Sequence, residues 1–187
     1  MIKVAIFGGS FDPPHKGHQY IVQRAIKVLD IDKLIILPAF LNPFKEHSLA
    51  SAKQRLEWCH RLFDPIADVI VSNFEISLGR ATYTSESLRH LGKQYDIRYI
   101  IIGSDNLASI TRWHEFEWIN SHLTWVIAER RGDQKDTQML QNWIPLKIDI
   151  PISSTGIREG GDLKMIDKRI KKEVDILLKR REHYDHR

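Results

Sequence analysis

The residues best suited to chemistry lie near the amino terminus, in Gly8-Gly9-Ser10-Phe11-Asp12-Pro13-Pro14-His15-Lys16-Gly17-His18. Gly8 and Gly9 allow close backbone approach to a ligand. Ser10 offers a hydroxyl and an N–H to a phosphate. Pro13 and Pro14 stiffen the entry to a helix, whose first turn is a natural anion site. His15 and His18 are three residues apart and project from one side of that turn. A His-x-x-His pair alone fits a capped, exposed helix start equally well. The conjunction of strand, Gly-Gly-Ser, Pro-Pro and His-x-Gly-His points to phosphate chemistry instead. The stretch is neither a P-loop nor a Gly-x-Gly-x-x-Gly fingerprint, and zinc lacks a third ligand at suitable spacing.

Other segments carry polar groups in suggestive places. Ser153-Ser154-Thr155-Gly156-Ile157-Arg158 reads as a helix start with hydroxyls, free N–H groups and a fixed cation, or as a plain cap with a surface arginine. Lys45 follows an apolar strand, where it either meets a phosphate or is an exposed loop lysine. Gly103, Asp105 and Trp113 follow another strand; Asp105 suits sugar hydroxyls, and Trp113 offers a π-face to a cationic ring or fills a core.

The elements that would position these residues alternate between two periods. Strands are predicted over Lys3–Phe7, Lys33–Pro38, Ala67–Ser72, Tyr99–Ile102 and Thr124–Ala128, with a weaker candidate at Leu146–Ile150. Their near-continuous Ile, Val and Leu content suits strands covered on both faces. Helices are predicted over His18–Leu29, Ser51–Phe63 (capped by Ser51), Thr84–Leu91, His114–Ile119 and Leu163–Leu178. The expected fold is α/β: one Rossmann-like domain over residues 1–187, with a mainly parallel sheet of five or six strands and helices on both faces. Residues 163–187 are expected to form a basic helix packed on that domain. In such sheets the ligand lies beyond the carboxyl ends of the strands, which is where Gly8, Lys45 and Asp105 stand.

The first loop resembles the phosphate-binding motif of the His-x-Gly-His nucleotidyltransferase superfamily. That resemblance implies that His15 and His18 stabilise the transfer of a nucleotidyl group from ATP, with Gly8, Gly9 and Ser10 at the phosphates. The second motif is similar to the superfamily's serine motif, which implies that Ser154, Thr155 and Arg158 hold the β- and γ-phosphates. Lys45, Gly103, Asp105 and Trp113 resemble segments of the nicotinate-nucleotide adenylyltransferases, as does Glu75 with Thr82-Tyr83-Thr84. This narrower resemblance spans almost the whole chain, departing from the family pattern at Thr82 and His114. It implies transfer of AMP from ATP to nicotinate mononucleotide, yielding nicotinate adenine dinucleotide and pyrophosphate. Glu75, Tyr83, Thr84 and Trp113 would hold the nicotinate nucleotide, and Mg²⁺ would arrive with ATP. Pantetheine-phosphate adenylyltransferase, which shares the two ATP motifs, is the nearest alternative. A nucleotide-sensing module without catalysis is another.

Composition excludes several classes. The chain has 187 residues, a net charge of +4 and one cysteine, Cys59, so no intrachain disulfide or cysteine-based zinc site forms. Between Lys164 and Arg187 stand nine Lys/Arg and five Asp/Glu, which accounts for the whole net charge. A basic groove for nucleic acid would draw on the whole fold, so no nucleic-acid partner is expected. No apolar run reaches the roughly 18 residues of a membrane span, and a cytoplasmic location is expected. An amphipathic last helix leaves a homo-oligomer open.

Overall fold

The computed structural model describes residues 1–41, 48–130, 136–148, 153–160 and 162–185. Six strands form one sheet: β1 (Ile2–Gly9), β2 (Lys33–Pro38), β3 (Val69–Val71), β4 (Tyr95–Gly103), β5 (Thr124–Arg130) and β6 (Trp143–Ile148). Their order is β3-β2-β1-β4-β5-β6, and every neighbouring pair is parallel. This is a doubly wound arrangement whose order reverses beside β1, so a crevice opens where β1 and β4 end. Pro145 lies within β6, which is an edge strand and tolerates the missing donor.

Strand alternation divides the core in two. Ala5, Phe7, Leu34, Ile36, Ile101 and Val126 face one layer, packed with Ile21, Val22, Trp58, Leu62, Ile157 and Val174. Val4, Ile6, Ile35, Ile100, Ile102 and Ile127 face the other, packed with Leu88, Ile110, Phe116 and Ile119. The first layer belongs to α1 (Lys16–Val28), α2 (Ala52–Phe63), α6 (Ser154–Gly160) and α7 (Lys171–Asp185). The second belongs to α4 (Thr84–Leu91), α5 (Phe116–His122) and a 3₁₀ segment over Ser104–Arg112. Both faces are therefore covered, as the apolar strands require. Among the described residues no helix is long and apolar enough to cross a membrane.

Several boundaries follow from local chemistry. Ser51 caps α2 by accepting from the Gln54 N–H at 3.2 Å. The short α3 (Phe74–Leu78), not expected from the sequence, ends at Gly79, whose φ of 66° suits a residue without Cβ. The helix expected over Leu163–Leu178 is not continuous. Leu163–Met165 is a 3₁₀ turn, and α7 starts only at Lys171. Asp167 explains the break: its carboxylate accepts from the Arg169 N–H at 3.0 Å and from the Arg169 guanidinium, an alternative to helical pairing. That guanidinium holds the Asp167 carboxyl well below the usual carboxylate range. Ile166, Ile170 and Val174 of the expected stripe nevertheless bury. Glu173 anchors α7 to α2, accepting from Trp58 Nε1 and Gln54 Nε2 at 2.8 Å and pairing with Arg61.

Candidate active site

The loop leaving β1 makes a tight turn at Phe11, a non-glycine residue at φ 48°. The turn is stabilised by what its side chains reach. Phe11 is buried and meets Phe7 edge-on at 5.5 Å and Phe63 at 6.0 Å. Asp12, also buried, accepts from the N–H groups of Leu49 and Ala50 at 2.7 and 3.0 Å. Arg55, 1% exposed, donates to the carbonyls of Ser10, Ala39, Phe40 and Ala50 at 2.6 to 3.3 Å. One guanidinium thus ties the phosphate loop to the segment after β2 and to the start of α2. Burial draws the pKa of Arg55 down, and the Asp12 carboxylate opposes that fall.

His15 and His18 stand at the start of α1 with their rings stacked, centroids 3.8 Å apart. His18 Nδ1 accepts from the His15 N–H at 3.1 Å, which leaves the ring proton of a neutral His18 on Nε2. A neutral His18 with this contact can donate only through Nε2.

Two cavities open from this loop. The larger, about 370 Å³, lies over the carboxyl ends of β1, β4 and β5. Gly8, Gly9, Ser10, His15, His18, Gly103, Asp105, Ser154 and Thr155 line it. The smaller, about 120 Å³, lies on the other side of β1 and is walled by Leu37, Ile100–Ile102 and Trp113. Glu75, Thr82, Tyr83, Thr84 and His114 supply its polar groups. Gly8, Gly9 and Asn106 line both cavities, so the two meet at the glycine turn. Apart from its chain neighbours, a Cβ on Gly8 would meet only the Leu37 carbonyl, at 4.0 Å. The size difference suits a nucleoside triphosphate in one and a single ring in the other.

The sequence candidates divide accordingly. Ser154 donates to the Pro13 carbonyl at 3.0 Å, and Arg158 donates to the Asp12 carbonyl at 2.6 Å and to Thr155 Oγ1 at 3.0 Å. The second motif thus clamps the first, and in this state the Arg158 guanidinium engages the loop itself. Ser153 caps α6 through the Gly156 N–H at 3.0 Å. Lys45 lies outside the described residues. Trp113 is partly buried, edge-on to the fully buried Trp125 at 5.9 Å, and lines the smaller cavity. Tyr83, 51% exposed, stacks on His114 at 4.5 Å at the mouth of that cavity. Sequence reasoning missed Asp12, Arg55, Asn106 and the cavity-lining His114. The only advance signal was Arg55 itself, a charge on the otherwise apolar stripe of α2.

Asp105 is held by a steric match. A Cβ on Gly103 would lie 2.4 Å from Asp105 Oδ1, so the carboxylate covers the glycine. Gly103→Ala should displace that carboxylate and raise the KM for ATP about tenfold, with an unchanged melting temperature. Steady-state kinetics with varied ATP checks this, and an unaltered KM would separate Asp105 from the nucleotide.

Glu75 is the most perturbed acid of the site. It is 6% exposed, and its carboxylate accepts from Ser87 Oγ at 2.6 Å. Burial pushes its pKa up to about 7, against the Ser87 bond and with the help of the nearby Glu86 charge. An acid whose pKa rises on folding favours the folded chain while protonated. That contribution is complete below the ordinary value of 4.5 and is lost as pH rises through about 7.

The parallel order, the glycine turn at its switch point and the stacked histidines define a nucleotidyltransferase, and residues 6–160 match the cytidylyltransferase-like family. Among curated relatives, one from Sulfurovum sp. (strain NBC37-1), named "Probable nicotinate-nucleotide adenylyltransferase", is 56% identical, covering 95% of this chain and 94% of its own. One of the same name from Campylobacter fetus is 41% identical over 92% of this chain and 94% of its own. The chain belongs to the nicotinate-nucleotide adenylyltransferase family. The fold is shared with the nicotinic acid mononucleotide adenylyltransferase of Plasmodium falciparum complexed with APC, with TM-score 0.73 and 20% identity over 94% of this chain and 95% of that one.

Proposed function

We propose that the chain transfers AMP from ATP to nicotinate mononucleotide, releasing pyrophosphate and nicotinate adenine dinucleotide in the biosynthesis of NAD. The observation that carries this reading is the meeting of the two cavities at Gly8 and Gly9, with the histidines on one side and Trp113, Tyr83 and Glu75 on the other. ATP occupies the larger cavity and the nicotinate ring the smaller, so the acceptor's phosphate meets the α-phosphorus at the glycine turn. A 5′-phosphate oxygen attacks that phosphorus, the bond to the bridging oxygen breaks, and pyrophosphate leaves.

The attacking phosphate is already an anion, so no general base is needed. The protein's task is alignment and stabilisation of developing charge. His18 donates through Nε2–H and His15 supports it. Gly9 and Ser10 present backbone N–H groups, Ser154 and Thr155 present hydroxyls, and Lys45 and Arg158 supply positive charge. Asp105 accepts from ribose hydroxyls, while Thr84 and Tyr83 border the ring that stacks on Trp113. The donor set of the larger cavity (N–H groups, hydroxyls, two imidazoles and the Asp105 carboxylate) suits phosphate and sugar oxygens. Among the described residues no group of three or more His, Cys, Asp or Glu is placed to hold a metal, and Mg²⁺ enters as part of MgATP. In this reading the partners are ATP and nicotinate mononucleotide, a homo-oligomer stays open, and the reaction takes place in the cytoplasm.

The test offers purified protein and MgATP the choice of nicotinate mononucleotide, nicotinamide mononucleotide or phosphopantetheine and follows pyrophosphate release. Turnover is expected with nicotinate mononucleotide. Turnover with phosphopantetheine alone would assign the chain to pantetheine-phosphate adenylyltransfer, and none with any acceptor would leave a nucleotide-sensing module.

A further inference from the structure

The two faces of the sheet are unequally covered over β2 and β3. On one face α2 supplies 12 residues, whereas on the other α3 supplies 5. A cavity of about 420 Å³ remains on that second face, bounded by β2, β3, α3, the end of α4 and the start of β4. It shares no lining residue with the two cavities of the candidate active site. Phe74 and Ser77 of α3 line it, while Glu75 between them lines the acceptor cavity, so this helix is the partition. The volume falls within the roughly 300–1,000 Å³ typical of small-ligand sites. We propose that this cavity is a separate binding site for an uncharged purine nucleoside, held by its base.

The lining selects that class. Ile35, Ile70 and Leu91 supply its aliphatic surface. The Phe74 and His90 rings stack at 3.9 Å with 12° between their planes, and Tyr95 adds a third ring. Aromatic walls of this kind favour a flat ring, met by offset stacking or edge contact. The remaining groups are neutral and polar. Ser72 Oγ accepts from the Phe74 N–H at 3.3 Å, which leaves its proton for a ligand acceptor. Ser77 Oγ donates to the Phe74 carbonyl at 2.7 Å, which leaves its lone pairs for a ligand donor. The Asn73 and Gln94 amides offer both functions. An aminopurine edge, with ring-nitrogen acceptors beside an amino donor, answers all four, whereas a hydrocarbon would cover them without pairing them. No Asp, Glu, Lys or Arg lines the cavity, so an ionised base would be desolvated there without a fixed countercharge. For the same reason a triphosphate belongs in the other, larger-mouthed crevice beside the histidines, and not here.

Amide NMR on isotope-labelled protein reads the site residue by residue, with adenosine as the probe. Adenosine should shift the backbone amides of Asn73, Ser77 and Gln94 saturably. Those shifts should persist when Mg²⁺ and a non-hydrolysable ATP analogue fill the crevice beside the histidines. Xanthosine, whose base is an anion in mildly alkaline buffer, should bind about tenfold more weakly or worse under the same conditions. Ser77→Leu places a branched side chain in the cavity from an exposed position and should weaken adenosine by about tenfold or more, with binding of the ATP analogue unchanged. Should Ser77→Leu fail to fold, His90→Ala removes one exposed ring of the stacked pair and carries the same expectation. Adenosine shifts that vanish once the ATP analogue is bound would overturn the proposal. So would the absence of any shift at these three amides, equal affinity for xanthosine, or undiminished adenosine affinity in the folded variant. Neither Ser77 nor His90 lines the cavities where adenylyl transfer is placed, so failure of this site leaves the assigned reaction standing.

Discussion

Replacing His18 by alanine is expected to lower turnover by about 10²–10³-fold, the usual effect of removing one aligned donor from a developing anion. The geometry explains why this side chain should matter. Its Nδ1 is occupied by the His15 N–H, so Nε2–H is the atom left to donate. The charge it offsets grows as the α-phosphorus is attacked and is smaller in bound ATP. The loss should therefore fall mainly on kcat, with little change in the KM for ATP. The fold should survive. The variant loses one acceptor for a helix-start N–H and the ring contacts with Phe7 and Phe11, at 5.9 and 4.9 Å. A lost cap costs about 1 kcal/mol. Pyrophosphate release by stopped flow, beside a thermal melt, separates the two effects. His18→Gln should recover part of the rate, because its amide can also donate. An unaltered kcat in a folded His18→Ala protein would remove this residue from the chemistry.

Much of the frame could be read from the sequence because it depends on periodicity. In Lys33–Pro38 every residue after the lysine is apolar, and only a strand covered on both faces needs that; β2 has those same bounds. The doubly wound order then places Gly8 and Asp105 at the switch point, and Glu75, Tyr83 and Trp113 gather in one cavity although they are spread over 39 positions of the sequence. What escaped has no period. Asp167 interrupts the last apolar stripe with a two-residue hydrogen bond, yet Ile166 and Ile170 bury from the turn as they would from a helix. Asn106 belongs to a 3₁₀ segment and donates to the Gly103 carbonyl at 3.2 Å, a contact with backbone rather than with another side chain. Asp12 and Arg55 bind backbone groups, and backbone groups are the same at every residue. No pairing of side-chain types could therefore announce them.

That last class carries the second large effect. Arg55→Met keeps the aliphatic stem and volume of the side chain but removes every donor. The carbonyls of Ser10, Ala39, Phe40 and Ala50 would lose a common partner at once. Buried hydrogen bonds to a charged group are worth about 1.5–3 kcal/mol each when broken singly. They share one guanidinium here, so the losses do not add, and a total of about 3–5 kcal/mol is expected, as for breaking a buried ionic contact. The Asp12 carboxylate, which opposes the burial-driven fall in the Arg55 pKa, would also lose its nearby cation. Chemical denaturation should read this as a lower midpoint with a similar slope. Activity should fall further than stability predicts. Ser10 and Asp12 belong to the loop that places the phosphates, and Arg158 holds that loop through the Asp12 carbonyl. Below the melting temperature, Arg55→Met should therefore raise the KM for ATP and lower kcat together. Arg55→Lys should fall between, since one ammonium cannot reach four carbonyls drawn from three segments. If Arg55→Met lost stability but kept both kinetic constants, the arginine would serve the fold alone, and the phosphate loop would hold its shape through Asp12 and Arg158 without it.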